Sequence, residues 1–422
     1  MMYKKTILDN SMRVITVPMK DNPTVTVLVM VEAGSKFENK EINGLSHFLE
    51  HMCFKGTTKR PGMTDIALEL DGVGSHYNAF TSQEMTGYYA KADYRHLDKI
   101  LDVVSDLYLN PLFPEKEIEK EKGVIVEEIN MYEDLPQRKV WDIFGELLYG
   151  DQPAGWSVAG TKENVKKMTK KDFVDYRNKF YVSGATTIVV AGNFDEQKTL
   201  EDVNKIFGGI KKEKKGSKIK TIEEQIKPAI KIHMKDTDQT HLVLGVRTFD
   251  VFDKRGKILQ VLTGVLSGGM SARLFKKMRD EMGICYYVRA TDEGASDCGT
   301  LAVSAGVDNK RVKEAISALL GELKRLKTEI VSPEELNKVK QYLSGSMYLS
   351  LESSDSLAEF FGGQEIMNRP IKTADEVRQE IESVTAEDVQ KLAQEIFVDK
   401  GLNLALIGRF ADTKEFEDLL KF

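Results

Sequence analysis

The sequence lacks several features that would mark a specialised class of protein. Its three cysteines (Cys53, Cys285 and Cys298) form no Cys-x-x-Cys pair, so a disulfide scaffold is not expected and a reducing compartment is the simpler interpretation. It has no run of about 18 apolar residues, which argues against a transmembrane helix. Its first ten residues resemble neither a secretory signal nor a transit peptide.

The chain also lacks an excess of positive charge. Its net charge of −6 argues against a nucleic-acid partner, because phosphate binding requires a concentrated basic surface. Hydrophobic residues make up 41% and charged residues 30% of the 422 residues. That length and composition suit two sizeable cores. We therefore expect a soluble, cytoplasmic protein that binds neither nucleic acid nor a membrane.

An internal repeat organises the chain. Residues 168–194 and 384–410 share one pattern, a helix followed by a short loop and a buried strand. Each copy has a threonine, Thr169 or Thr385, as the candidate N-cap of its helix, followed three residues later by aspartate, which is close to a capping box. The repeat predicts two similar halves, residues 1–207 and 229–422, joined by a charged, glycine-containing linker at residues 208–228.

Strand and helix patterns alternate within each half. The β-branched, apolar run Thr24–Val31 predicts a central strand. Residues 75–90 predict two strands joined by a turn around Ser82 and Gln83. These patterns indicate an α/β sandwich, a sheet packed on helices, in each half.

One short segment has the spacing of a metal site. Residues 43–56 carry apolar side chains at helical spacing, which places His47, Glu50 and His51 together on another face. Two imidazoles four residues apart on a helix can bind one zinc ion. Glu50, one turn after His47, could then take a proton from water. The His-x-x-Glu-His order is that of the inverzincins.

A catalytic zinc ion needs a third protein ligand. Residues 114–134 predict an acidic helix in which Glu121 and Glu128, seven residues apart, lie on nearly the same face. Glu127 points about 100° away from Glu128. From the residues alone, the choice between Glu127 and Glu128 stays open.

Residues 47–57, HFLEHMCFKGT, resemble the motif of the M16 peptidases, the family of pitrilysin, insulin-degrading enzyme and mitochondrial processing peptidase. In that family the third ligand is a glutamate about 77 residues after the second histidine, and a glutamate seven residues before it assists. The resemblance implies one zinc ion per chain, held by His47, His51 and Glu128, with Glu121 assisting and Glu50 as general base.

The resemblance extends to the second half. Residues 271–288 are similar to a family segment in which an arginine and a tyrosine seven residues apart hold the peptide and stabilise the oxyanion, which implies these roles for Arg279 and Tyr286. It also implies a substrate-binding edge strand at Asn78, Ala79, Phe80 and Thr81. The first half would be the catalytic domain, and the second a degenerate domain that completes the site.

The implied fold is α+β, with two homologous α/β sandwich domains that form a clamshell. Each would have a mixed, mostly antiparallel sheet packed on helices, the LuxS/MPP-like metallohydrolase fold. The implied function is a short, bacterial-type zinc endopeptidase that cleaves unfolded peptides or oligopeptides. The chain resembles half of the long family members, so we expect a homodimer, or a heterodimer with a homologous M16 chain.

Three other functions compete with this interpretation. The chain could be a catalytically silent or partner-dependent subunit of a processing peptidase, although it has all the first-site residues. It could be a zinc hydrolase of small metabolites, against which its length and second half argue. A peptide-binding module would use the edge strand but would not need Glu50.

Overall fold

The computed structural model describes residues 3–422, which form two compact units. The first unit contains the described residues through Ile129, with Ser157–Ile219 and Tyr348–Ala374. The second contains Asn130–Trp156, Lys220–Met347 and Asp375–Phe422. Each unit has one β-sheet.

The strands are β1 (Lys4–Ile7), β2 (Arg13–Pro18), β3 (Thr24–Val31), β4 (His76–Thr81), β5 (Thr86–Asp93), β6 (Thr186–Gly192), β7 (Ala229–Met234), β8 (Gln239–Thr248), β9 (Cys285–Gly294), β10 (Gly299–Asp308) and β11 (Asn403–Gly408). The first helices are α1 (Leu45–Cys53), α2 (Met63–Asp71), α3 (Leu97–Leu109), α4 (Glu115–Asp134), α5 (Pro136–Tyr149), α6 (Lys162–Lys167), α7 (Lys170–Phe180) and α8 (Glu196–Phe207). The others are α9 (Gly256–Ser267), α10 (Val312–Thr328), α11 (Pro333–Ser350), α12 (Ser354–Ile366), α13 (Ala374–Ser383), α14 (Ala386–Ile396) and α15 (Lys414–Glu417). None of the helices within residues 3–422 is long and apolar enough to cross a membrane.

The sheet of the first unit has the order β1-β2-β6-β3-β5-β4, and only the β2–β6 pair is parallel. Strand β3 has the predicted bounds, and β4 and β5 form the predicted hairpin. Along β3, Val25, Val27, Val29 and Val31 face the main core. Because side chains alternate along a strand, Leu28 and Met30 face the opposite side, where α12 packs. The sheet is therefore covered on both faces.

The sheet of the second unit has the order β7-β11-β8-β10-β9. This is the order of β2-β6-β3-β5-β4 in the first unit, and the parallel pair, β7–β11, is at the matching place. Both predicted capping boxes are present, at Thr169 with Asp172 and at Thr385 with Asp388. The predicted repeat and the predicted mixed, mostly antiparallel sheets are confirmed.

Each unit contains one helix that comes from the other half of the chain. Helix α5, from the first half, packs on β8 and β11 of the second unit, where Val140 and Phe144 meet Val243 and Ala405. Helix α12, from the second half, packs on β3 and β6 of the first unit. The predicted boundaries, 1–207 and 229–422, follow the chain and do not include this exchange. Helix α8 ends at Phe207 and β7 begins at Ala229, so residues 208–228 contain no helix or strand, and their role as a linker stays a prediction.

Candidate metal centre

Helix α1 carries the predicted metal motif, and a buried carboxylate fixes its beginning. Glu38, only 2% exposed, accepts hydrogen bonds from the backbone N–H of Gly44 (2.8 Å) and Ser46 (2.6 Å) and from the side chain of Asn43 (3.0 Å). The first N–H groups of a helix have no partner within the helix, so Glu38 supplies acceptors for two of them. Burial raises the pKa of Glu38 to about 7, although these hydrogen bonds oppose the shift.

Three side chains converge beside α1. The Nε2 atoms of His47 and His51 each lie 3.6 Å from the same oxygen, Oε2 of Glu128 on α4. The two imidazole rings are 4.7 Å apart between centroids. Within residues 3–422, this is the one group of three or more His, Cys, Asp or Glu residues whose ligand atoms are close enough to hold a metal ion.

This geometry fits a zinc ion. Tetrahedral ligands at about 2.0–2.1 Å from zinc are about 3.3–3.4 Å apart, close to the two distances of 3.6 Å. Two imidazole nitrogens and one carboxylate oxygen are a donor set that zinc takes in hydrolytic enzymes, with a fourth position left for water. The predicted ligands His47, His51 and Glu128 are thus the residues that could hold zinc.

The two candidates for the third ligand differ in position. Glu128 is partly buried at the cluster, whereas Glu127 is exposed to solvent. The difference follows from the rotation of about 100° per residue along α4. The structure therefore places Glu128, rather than Glu127, beside the two histidines, and its role as third ligand stays a prediction.

Glu121 forms a hydrogen bond with one of the two histidines, His51. Its Oε1 lies 2.9 Å from His51 Nδ1, and its Oε2 accepts from Lys55 Nζ at 2.7 Å. Glu121 is buried, yet the hydrogen bonds from His51 and Lys55 outweigh burial and lower its pKa. An ionised Glu121 takes the Nδ1 proton of His51 as a hydrogen bond, which leaves Nε2 with its lone pair facing the cluster.

The two histidines have different electrostatic surroundings. Burial, with a smaller contribution from His51, lowers the pKa of His47 to about 4, so its imidazole is neutral at pH 7. Burial also acts on His51, but the hydrogen bond to Glu121 and the nearby carboxylates outweigh it and raise its pKa. His47 Nδ1 is buried and has no hydrogen-bond partner among the described residues.

Glu50, the predicted general base, has one hydrogen-bond donor from the neighbouring strand. Thr81 Oγ1 donates to Glu50 Oε2 at 2.5 Å. Burial raises the pKa of Glu50. The carboxylate is on the same helix as the two histidines, one turn after His47, as the sequence predicted.

The four residues of the predicted substrate strand end β4, which is an edge of the first unit's sheet. Within residues 3–422, β4 pairs with β5 on one side and with no strand on the other. The Phe80 ring lies over Gly87 of β5, where an added Cβ would come within 2.4 Å of it. The backbone of Asn78 and Ala79 is thus at an edge that a peptide could extend, and their role as substrate contacts stays a prediction.

Arg279 and Tyr286 contact one another within the second unit. Arg279 Nη1 donates to the Tyr286 carbonyl oxygen at 2.6 Å, and its guanidinium lies 5.0 Å from the centre of the Tyr286 ring. The Tyr286 side chain is 72% exposed to solvent. These contacts hold Arg279 and Tyr286 together. Their role at an oxyanion stays a prediction.

Sequence reasoning missed two residues of this site, Glu38 and Lys55. Lys55 follows His51 by four residues, a spacing that places it near the same side of the motif. Glu38 has no comparable signal, because it binds backbone N–H groups, which every sequence has.

Comparison with known proteins identifies the family. Residues 13–162 match the family model for insulinase (peptidase family M16), and residues 167–343 match the model for the M16 inactive domain. A Bacillus subtilis protein with the name uncharacterized zinc protease YmxG is 35% identical over 410 residues, which cover 96% of this chain and 98% of the relative. The chain belongs to peptidase family M16.

A second relative and two solved structures are also similar to this chain. A Streptomyces coelicolor protein, also named an uncharacterized zinc protease, is 31% identical over 97% of this chain and 90% of its own length. The crystal structure of a protease from Helicobacter pylori has a TM-score of 0.89 at 22% identity, over 96% of this chain and 99% of that one. A Pseudomonas fluorescens structure titled peptidase M16 inactive domain has a TM-score of 0.90 at 16% identity, over 97% and 99% of the two chains. The structural likeness confirms the predicted M16 fold.

Proposed function

We propose that this M16 protein is a zinc-dependent endopeptidase that hydrolyses unfolded peptides or oligopeptides. One observation carries the proposal. A single oxygen of Glu128 lies 3.6 Å from Nε2 of both His47 and His51, and Glu50 is on the same helix as the histidines. The zinc-protease names of the relatives and the membership in a peptidase family support the metal and the reaction class.

The residues of the site divide the chemistry among them. A bound zinc ion would polarise the scissile carbonyl and lower the pKa of the attacking water. Glu50 accepts the proton of that water and returns it to the leaving amine. Glu121 keeps Nδ1 of His51 in a hydrogen bond, so that the ring presents Nε2 to the cluster.

The remaining predicted residues act on the substrate. A peptide adds to the outer edge of β4 through main-chain hydrogen bonds, which give affinity with little sequence preference. Arg279 and Tyr286, from the second unit, donate hydrogen bonds to the oxyanion that forms during attack. The proposal thus assigns substrate contacts to both halves of the chain.

The experiment that tests the proposal compares wild-type protein with Glu50→Gln on a quenched fluorescent peptide library, with and without a chelator. The proposal predicts chelator-sensitive cleavage by the wild type. It predicts a loss of about 10²–10⁴-fold in kcat for the variant, with normal zinc content, because general base catalysis is removed. Glu127→Gln, an exposed glutamate on α4, is the matched control and should retain the wild-type rate.

Two outcomes would contradict the proposal. Normal turnover by Glu50→Gln would exclude the assigned general base. Wild-type protein that binds zinc but cleaves no peptide would instead favour the silent or partner-dependent subunit.

A further inference from the structure

Thr81 is placed to control the general base. Side chains alternate along β4, so Tyr77, Ala79 and Thr81 share one face of the strand. Tyr77 and Ala79 pack against the main core of the first unit. At the third position of this row the sequence has a hydroxyl group, and this hydroxyl meets Glu50 of α1 at 2.5 Å.

The direction of the hydrogen bonds around Thr81 is determined. The neighbouring hydroxyl of Thr86 donates its proton to the Ala33 carbonyl oxygen at 2.9 Å. Thr86 Oγ1 is 3.5 Å from Thr81 Oγ1, too far for a strong competing bond. An ionised carboxylate only accepts hydrogen bonds, so the proton of Thr81 goes to Glu50 Oε2.

This bond has two consequences for the proposed reaction. It gives Glu50 Oε2 a donor and leaves Oε1 as the oxygen with free acceptor capacity, which fixes the orientation of the carboxylate. It also joins the base to β4, the strand whose outer edge is open to an added peptide. A peptide bound in register on β4 would thereby be in register with Glu50 as well.

We propose that Thr81 is a positioning residue, whose side-chain hydroxyl orients the Glu50 carboxylate for proton transfer and couples it to the peptide-binding edge of β4. This inference rests on the proposed function and assigns Thr81 a role different from the substrate contact that the sequence predicted. The side chain of Thr81 donates a hydrogen bond to Glu50, and only its backbone lies at the open edge of β4.

The test compares three substitutions in the full chain loaded with zinc. Thr81→Val has nearly the same shape and favours strands, but it lacks the hydroxyl, and it should lower kcat about 10- to 100-fold, the effect of one hydrogen bond to a charged group. KM should change by no more than about twofold, and zinc content should stay unchanged. Thr81→Ser keeps the hydroxyl and should restore most of kcat. Tyr77→Phe removes a hydroxyl from the same row, one that bonds Asp71 instead, and should leave the rate unchanged.

A double substitution separates this role from a general effect on the site. In a Glu50→Gln background, Thr81→Val should cause no further loss, because its partner is already gone. A full-rate Thr81→Val, a Thr81→Ser as slow as Thr81→Val, or an equal loss in both backgrounds would overturn the role of Thr81. Each of these leaves the proposed function intact, provided that the wild type shows chelator-sensitive cleavage. A wild type without such cleavage would overturn both.

Discussion

Replacing Glu38 by glutamine should change how the stability of the first unit depends on pH. Glu38 is buried, and it accepts hydrogen bonds from the N-terminal backbone of the helix that carries both histidines. Its pKa is about 7, against 4.5 for an ordinary glutamate. Glutamine has a similar shape but does not titrate. It also replaces one acceptor oxygen with an amide NH2, which changes the stability by an amount independent of pH, so the effect of ionising Glu38 is the part of the difference that varies with pH.

The sign of the effect follows from where the proton binds more tightly. The folded state holds the Glu38 proton more tightly than the unfolded chain does. The stability contributed by the protonated group is therefore fully present below pH 4.5 and is lost as the pH rises through about 7. At about 1.4 kcal/mol per pH unit, the step from 4.5 to about 7 amounts to about 3 kcal/mol. Between pH 4 and pH 8, the wild type should lose about that much free energy of unfolding relative to Glu38→Gln.

The assay must report the first unit directly, because both tryptophans lie in residues 130–156 of the second. Hydrogen exchange of the amides of α1, measured in chelator at several pH values, does so without a contribution from zinc binding. Glu41→Gln, an exposed glutamate three residues on, is the control and should follow the wild type. A constant difference between wild type and Glu38→Gln from pH 4 to pH 8 would refute the reasoning.

Three further predictions follow from the packing and the polar contacts. Glu121→Gln should reduce zinc affinity or activity about 10- to 100-fold, measured by competition with a chromogenic chelator and by cleavage rate, and an unchanged affinity and rate would exclude its positioning role. Arg60→Met should destabilise the first unit by about 3–5 kcal/mol, measured by urea unfolding. The substitution leaves the carboxylate of Asp106, which is 1% exposed, without its buried cation. A loss of stability under about 1 kcal/mol would contradict this. Gly362→Val should lower the free energy of unfolding by about 1–3 kcal/mol, since a Cβ there meets side chains of the sheet at 2.8–3.0 Å. Gly363→Val, with nothing within 4 Å of the added Cβ, should be nearly neutral. Equal effects of the two substitutions on melting temperature would contradict the packing argument.

Local patterns in the sequence predicted much of the fold. The run Thr24–Val31 was recognisable because a strand buried on both faces is continuously apolar and β-branched. The capping threonines at 169 and 385 located two helix starts, because an N-cap acts within its own first turn. The exchange of α5 and α12 was not predictable in this way. An apolar helix face shows that a helix packs, but not which of two similar sheets it packs on.

The same distinction between local sequence patterns and tertiary packing applies to the candidate site. His47 and His51 follow from spacing, because the two residues share one helix turn. Glu128 came from the family resemblance, because helical rotation separates it from Glu127 but does not show which of the two faces the histidines. The contact between Thr81 and Glu50 joins two elements 31 residues apart, and only the packing of β4 against α1 brings them together. Residues that support a site through such contacts have no spacing rule that a sequence can reveal.

The most direct test of the central claim is the metal content of three purified proteins after dialysis against trace zinc. The account predicts about one zinc ion per chain for the wild type and for Glu127→Gln, and a large loss for Glu128→Gln. Retention of one zinc ion per chain by Glu128→Gln, or equal losses from the two variants, would contradict the assignment of His47, His51 and Glu128 as the metal site.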